Sequence, residues 1–211
     1  YALPLPVIVI SELLGVPQSD RNLLRQLSTD LSGGFDSINA TDIALKKQAI
    51  AFTALDDYFR CLLAERKAVP QDDLISEFQH VQDKQGKLTA NEVLGMCMIL
   101  LFAGHETTIN LIGNGLYTLL SHPEQFNRLK AEPTLTESFI EEVLRYESPL
   151  QQSTFRITTD EITIGGKTIK KGQQICALIG AANRDPAIFE NPDIFDIGRN
   201  PLRRLRPERI G

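Results

Sequence analysis

Residues 89–123 read TANEVLGMCMILLFAGHETTINLIGNGLYTLLSHP, and this stretch decides the fold. Thr89 and Glu92 match T-x-x-E, the capping box that begins many helices. No proline follows until Pro123, so the stretch predicts a helix of about 30 residues, roughly 45 Å long. Because this helix is apolar on all sides, we expect it to be buried at the centre of a helical body.

The middle of the predicted helix is unusual because polar residues interrupt its apolar run. Gly104 leaves room for a close neighbour, and Thr107 can donate a hydrogen bond to the carbonyl of Ala103, which loosens a helix. Glu106 adds an ionisable carboxyl at that opening, an arrangement that suits proton delivery to a buried reaction centre. A kinked core helix with satisfied polar groups explains the same residues, and the sequence leaves both interpretations open.

The remaining chain divides by its hydrophobic period. Residues 1–150 have mainly helical spacing, and Thr134 with Glu137 repeats the capping-box pattern before a further helix. Residues 151–182 contain short β-branched runs, the last at 174–179, separated by turn pairs such as Gly165-Gly166. The predicted fold class is therefore mainly α, a helical body with a long central helix and a small antiparallel β appendage.

We expect a single, partial domain over residues 1–211. In it, the helical part (1–150) and the β-rich part (151–182) are followed by an irregular meander (183–201) and an atypical arginine-rich tail (202–211).

Composition excludes several classes of function. A formal charge of -5 gives no general reason to expect a nucleic-acid partner. Cys61, Cys97 and Cys176 are far apart and form no C-x-x-C pair, which indicates a reducing compartment rather than a zinc site. The longest apolar run, 93–103, is too short to span a bilayer, and no signal-like segment begins the chain. We therefore expect a soluble, cytoplasmic protein with no membrane partner.

Two further groups of residues could carry chemistry. Glu142 and Arg145 lie three apart on one predicted helix face and can pair, and a buried structural clamp is favoured over direct catalysis. Arg156 lies on a predicted half-buried strand, where a carboxylate-bearing cofactor would satisfy it, although a surface arginine is an equal alternative. His80, His105 and His122 have no metal-ligand spacing, so we expect each to be structural.

Together these motifs resemble the cytochrome P-450 family, especially its soluble bacterial members. Ala-Gly-His-Glu-Thr-Thr at 103–108 is similar to the oxygen-activation motif of that family's long helix. Glu142 and Arg145 are similar to its E-x-x-R pair, and Arg156 falls where the family contacts a haem propionate. Ala-Asn-Arg-Asp-Pro at 182–186 is similar to the segment that precedes the haem-binding loop.

The resemblance implies a haem-dependent monooxygenase that inserts one oxygen atom from O₂ into a small apolar organic substrate. Glu106 and Thr107 would be catalytic as proton relays, while Ala103, Gly104 and Arg156 would bind haem. Glu142 and Arg145 would clamp the stretch near 191–199, and thiolate ligation would favour O–O cleavage. The substrate pocket would include parts of residues 30–60 and Leu150, Thr154 and Phe155. Electrons would come from a ferredoxin- or flavodoxin-like partner.

The sequence departs from the family pattern near its end. Asn200-Pro201 leads into Leu-Arg-Arg-Leu-Arg-Pro-Glu-Arg-Ile-Gly, where the family has a glycine-rich loop with the cysteine ligand. We interpret this as a reading-frame change near residue 201, and we expect the family's N-terminal helices and the metal ligand to be absent from this chain. The chain alone would then be inactive. The alternative is a non-catalytic relic or a helical module that binds apolar ligands without haem; nucleic-acid binding through the arginine tail is least favoured.

Overall fold

A computed structural model describes residues 1–32, 41–85 and 88–199, without the side chains of 82–85. The arginine-rich tail predicted at 202–211 lies outside these residues. Eight α-helices occur within them: α1 (Pro4–Leu13), α2 (Arg21–Ser32), α3 (Asp42–Ala68), α4 (Leu74–Gln85), α5 (Ala90–Ser121), α6 (Pro123–Ala131), α7 (Thr136–Tyr146) and α8 (Ile179–Ala182). The chain forms two compact units, Tyr1–Ile109 and Asn110–Gly211, and the boundary falls inside α5.

The long helix α5 begins at the predicted capping box. The backbone N–H of Thr89 donates to Glu92 Oε2 at 2.7 Å, and the N–H of Glu92 donates to Thr89 Oγ1 at 3.3 Å. The helix then continues for 32 residues, so its predicted start and length are confirmed.

The prediction that α5 is buried on all sides is wrong for the part of the chain that the structure describes. Only 22% of its most apolar 18-residue window is buried, although the helix has the length and composition of a membrane span. Ile99 and Leu120 are more than half exposed, whereas Val93, Cys97 and Leu101 are buried. One side of α5 therefore packs into a core while another side stays open.

The first unit packs α1 to α4 and the first half of α5 around one apolar core. Leu14, Leu24, Leu55, Phe59 and Ile75 are completely buried there. The amphipathic spacing of α2 and α3 explains why these helices contact each other, since each presents one row of leucine or aromatic side chains to the core.

The second unit has a smaller core where α5, α6 and α7 meet the meander. Val143, Phe195 and Ile197 are almost completely buried in it. Thr134 does not form the predicted capping box with Glu137, because a 3-10 turn at Pro133–Leu135 precedes α7 and Leu135 occupies the cap position. The turn places the start of α7 later than the sequence pattern indicated.

In the described part of the chain, four short strands form two antiparallel pairs, as the sequence predicted. Strands β2 (Ile162–Ile164) and β3 (Lys167–Ile169) form a hairpin with Thr163 opposite Thr168. Its turn is Gly165-Gly166, where φ is 56° and 75°, angles that glycine adopts without strain. Strand β1 (Arg156–Ile157) pairs with β4 (Gln174–Ile175). The predicted strand at 174–179 is too long, since β4 ends at Ile175 and Ile179 begins α8.

Candidate functional site

The polar interruption of α5 contains the hydrogen bond predicted for Thr107. Thr107 Oγ1 donates to the carbonyl oxygen of Ala103 at 3.0 Å, which confirms the predicted bond four residues back. Thr108 Oγ1 lies 3.5 Å from the carbonyl oxygen of Gly104. The segment remains α-helical, so both hydroxyls add to the helix ladder without breaking it.

Glu106 has one satisfied and one unsatisfied carboxyl oxygen. Its Oε1 lies 3.3 Å from the hydroxyl of Ser32 on α2. Its Oε2 is buried and has no hydrogen-bond partner among the described residues. A buried carboxyl oxygen without a partner is costly, and such atoms occur where a site has a further ligand, water or proton to bind.

Gly104 does provide a close approach, but the neighbour is a side chain of the same unit. A Cβ at Gly104 would lie 2.8 Å from two carbons of Ile10 on α1. Because Ile10 fills this space, α1 and α5 pack closely at Gly104. The prediction that Gly104 lines a haem face is not tested, and the contact with Ile10 is a sufficient structural reason for the glycine.

Ala103 and Thr107 lie on another face of α5, since residues four apart share a face. Ala103 is exposed, so this face is open in the described part of the first unit. His105 is turned away from it and is only 2% exposed. Its Nδ1 donates to the carbonyl of Leu101 at 2.8 Å, which is the geometry of a satisfied core histidine.

The first unit also has an open, largely apolar cleft of about 400 Å³ between α3 and α5. Its apolar lining comes from Leu31, Phe52, Leu94, Met98, Ile99 and Phe102, and its polar lining from Asp56, Arg60 and Asn91. Arg60 Nε donates to Asp56 Oδ2 at 2.6 Å, so the two charges neutralise each other at the cleft. The volume lies in the range of small-molecule sites, and the lining is mainly apolar. Residues 30–60 were expected to contribute to a pocket, but the contribution of the early part of α5 was missed.

Glu142 and Arg145 pair as their spacing predicted, and the pair is buried. Arg145 Nε and Nη2 donate to the two carboxyl oxygens of Glu142, both at 2.8 Å. The remaining donors reach backbone carbonyls of the meander: Asn183, Pro192 and Ile194 at 2.7–3.1 Å. Arg199 completes the group by donating to Glu142 at 3.1 Å. We call these residues the Arg145 cluster.

Arg156 is exposed, which corrects the expectation of a half-buried strand. Strand β1 has two residues and exposes both, so no core surrounds the guanidinium. In the described residues its hydrogen bond is to Thr154 Oγ1, at 3.2 Å. Leu150, Thr154 and Phe155 are exposed as well, and all belong to the second unit, whereas Glu106 and Thr107 belong to the first.

A second buried arginine was missed by the sequence reasoning. Arg66 on α3 donates through Nε to Asp73 Oδ2 at 2.6 Å and through Nη2 to the carbonyl of Gly15 at 2.6 Å. Burial opposes the charge on Asp73, but hydrogen bonds from Arg66 and Ser76 outweigh it and hold the pKa of this carboxyl below its usual range. Arg66 Nη1 also donates to Glu65 Oε1 at 2.7 Å. We call Gly15, Glu65, Arg66, Asp73 and Ser76 the Arg66 cluster.

The three cysteines have different surroundings. Cys97 on α5 is completely buried, and burial raises the pKa of its thiol to about 12, so it is a neutral core residue. Cys61 is exposed on α3. The thiol of Cys176 lies 3.1 Å from the carbonyl oxygen of Ser153, to which it donates. Within the described residues, no three histidine, cysteine or acidic side chains are grouped as a metal site would require.

Comparison with known proteins gives one consistent answer. Residues 41–201 match the family model described as "Cytochrome P450". The chain is 43% identical over 201 residues to "Biotin biosynthesis cytochrome P450" of Bacillus subtilis (strain 168), covering 95% of this chain and 50% of that protein. It is 40% identical to "Vitamin D(3) 25-hydroxylase" of Pseudonocardia autotrophica, covering 95% and 48%.

A solved structure agrees with these relatives. The crystal structure of P450BioI in complex with hexadec-9Z-enoic acid ligated acyl carrier protein superposes with a TM-score of 0.90 at 44% identity, covering 95% of this chain and 51% of that one. The chain thus spans about half the length of the relatives it matches. Because the family model covers most of the chain and includes α5, α7 and the meander, the chain belongs to the cytochrome P450 family.

Proposed function

We propose that this chain carries the oxygen-activating helix and part of the substrate site of a bacterial haem-dependent monooxygenase, which inserts one oxygen atom into an apolar organic substrate. The supporting observation is on α5: Glu106 has a buried oxygen without a partner, beside a threonine whose hydroxyl is bonded back into the helix. Haem held by a thiolate supplies the activation of dioxygen in this family.

The residues of this chain would supply proton handling on that helix. The Thr107 hydroxyl donates a hydrogen bond to the carbonyl of Ala103, so the lone pairs of Oγ1 are free to accept a second hydrogen bond. Glu106 can hold a proton at Oε2, where no other described group competes for it. We therefore assign the carboxyl of Glu106 and the hydroxyl of Thr107 as the two proton-handling groups of α5.

Two other residue groups fit a haem. Arg156 is exposed and has one hydrogen bond among the described residues, so its other N–H groups are available to a propionate. Ala103 presents a small apolar side chain on an open helix face. Of the described cysteines, Cys97 is a buried neutral thiol on α5, and neither Cys61 nor Cys176 occupies the position of the family's cysteine ligand.

The cleft between α3 and α5 supports the proposal that the substrate is apolar. Its lining is mainly leucine, isoleucine, methionine and phenylalanine, and its one ion pair is internally neutral. The relatives named above include a vitamin D₃ hydroxylase and a structure with a fatty acid ligated to acyl carrier protein. We further propose a ferredoxin- or flavodoxin-like electron donor and a cytoplasmic location.

A haem titration of the purified chain, followed by absorption before and after reduction under carbon monoxide, tests the proposal. We expect saturable haem binding that Arg156→Ala weakens. Arg128→Ala, which removes another exposed arginine, is the control and should not weaken it. Binding of apolar ligands in the cleft without any saturable haem uptake would instead favour the alternative of a helical ligand-binding module, which the self-contained cleft of the first unit supports.

A further inference from the structure

Ser32, the last residue of α2, contacts the carboxyl of Glu106 across 74 residues of sequence. Its hydroxyl lies 3.3 Å from Glu106 Oε1 and 2.7 Å from the carbonyl oxygen of Thr29. Among the described residues, Ser32 is the hydrogen-bond partner of this carboxyl, since Oε1 contacts its hydroxyl and Oε2 has no partner. The hydrogen bond to Glu106 therefore comes from another helix.

The Ser32 hydroxyl has one proton, so it can donate one hydrogen bond at a time, and its oxygen can also accept hydrogen bonds. Thr29 offers a carbonyl, which only accepts. When Ser32 donates to Thr29, the contact with Oε1 is a hydrogen bond only if Glu106 carries a proton and donates it. When Glu106 is ionised, the hydroxyl can turn and donate to Oε1 instead. Both protonation states of the carboxyl can thus keep a hydrogen bond with the same serine.

We propose that Ser32 is a positioning residue for Glu106, which holds the carboxyl in one place on α5 whether or not it carries a proton. This inference rests on the proposed proton-relay function of Glu106. A relay group must give up and regain a proton without losing its place, and a partner that can both donate and accept satisfies that requirement. An alanine, or a residue that only donates, would satisfy at most one state.

The chain offers a matched control on the same helix. Ser28 lies one turn before Ser32 on α2, and it is buried with no hydrogen-bond partner for its hydroxyl. Removing its oxygen changes the packing of α2 without removing a contact to Glu106. Ser32→Thr retains a hydroxyl that donates and accepts, so it is the conservative variant.

The experiment is carbon-13 NMR of the whole 211-residue chain with labelled glutamate carboxyls, across a pH series. The Glu106 signal is assigned by its loss in Glu106→Gln. We expect Ser32→Ala to shift this signal towards those of exposed glutamates such as Glu124, Ser32→Thr to restore it, and Ser28→Ala to leave it unchanged. Circular dichroism checks folding, and Ser32→Cys, a weak donor of similar size, repeats the test if Ser32→Ala does not fold.

An unchanged Glu106 signal in the serine-deficient variant, or an equal shift in Ser28→Ala, would overturn the proposal. The measurement needs no haem, so it is independent of the test of the proposed function. A Ser32-dependent signal in a chain that takes up no haem would retain the positioning role and reject the haem contacts proposed for this chain.

Discussion

The Arg66 cluster in the first unit and the Arg145 cluster in the second solve the same problem in different ways. Each buries an arginine against a carboxylate that is about 2% exposed. Arg145 gives its remaining donors to backbone carbonyls, whereas Arg66 gives one to the carbonyl of Gly15 and one to the carboxylate of Glu65. Arg145 and Glu142 are three residues apart on one helix, whereas Arg66 and Asp73 are separated by the end of α3 and the start of α4. Spacing on one helix can be seen in a sequence, but a pair across a loop cannot.

The two clusters also differ in what they hold. Arg145 reaches three carbonyls of the meander, a segment with no regular structure to satisfy its own backbone. Arg66 reaches the carbonyl of Gly15, where φ is 71° and the chain turns after α1. A Cβ at Gly15 would overlap the Asp73 carboxyl, so the glycine lets the backbone approach the pair. The Arg66 cluster therefore connects helices to one another, whereas the Arg145 cluster connects the meander to helix α7.

The largest effect is expected for Arg145→Met. This change leaves the buried Glu142 with Arg199 as its remaining charged partner and removes the donor from three carbonyls, so we expect a loss of about 3–5 kcal/mol from the second unit. Hydrogen exchange read by mass spectrometry should show lost protection over 183–199, with 1–32 unchanged. Arg128→Met, which removes an exposed pair with Asp196, is the control and should cost less than about 1 kcal/mol.

A smaller but clear effect is expected for Asp73→Asn. Arg66 keeps Glu65 and the carbonyl of Gly15 as acceptors, so we expect a loss of about 2–3 kcal/mol, at or below the low end for a broken buried pair. Denaturant unfolding of the first unit measures it, and Asp72→Asn at the exposed neighbouring position is the control. A loss as large as that of Arg145→Met would show that the number of carbonyls held does not distinguish the clusters.

Acid should reduce the stability difference between the parent chain and Asp73→Asn. Because the pKa of Asp73 is lowered by folding, its contribution to stability is present above its unfolded-state pKa of about 4 and is lost as pH falls through the lower folded value. The stability gap between the parent chain and Asp73→Asn should therefore narrow from pH 7 towards pH 2. Urea midpoints at several pH values measure this gap, and a constant gap would contradict the assignment.

The comparison also shows where sequence reasoning succeeded. The start and length of α5, the Thr107 bond, the Gly165-Gly166 hairpin and the Glu142 pair all depend on residues a few positions apart, and all were predictable. Interactions between distant segments were not: Ile10 against Gly104, Ser32 against Glu106, and the cleft between α3 and α5. These contacts depend on how helices pack, which periodicity does not specify.

The sequence patterns also failed to predict which residues are buried. Arg156 follows a phenylalanine and precedes an isoleucine, as a half-buried strand would, yet β1 has only two residues and both are exposed. Likewise α5 is apolar on all sides but packs on one side in the described units. A pattern shows which faces are able to be buried, and only the packed elements show which of them are.

The smallest effect is expected for Arg199→Lys, which separates charge from geometry in the Arg145 cluster. A lysine can still pair with Glu142, but one ammonium group cannot also reach the carbonyls of Glu190 and Asn191, to which Arg199 donates at 2.6 and 3.2 Å. We expect a loss of about 1 kcal/mol, the usual net worth of one or two such hydrogen bonds. Hydrogen exchange should quicken at 190–194 and stay unchanged in α7. If α7 also lost protection, Arg199 would be a full partner in holding Glu142, and the second cluster would depend on two arginines where the first depends on one.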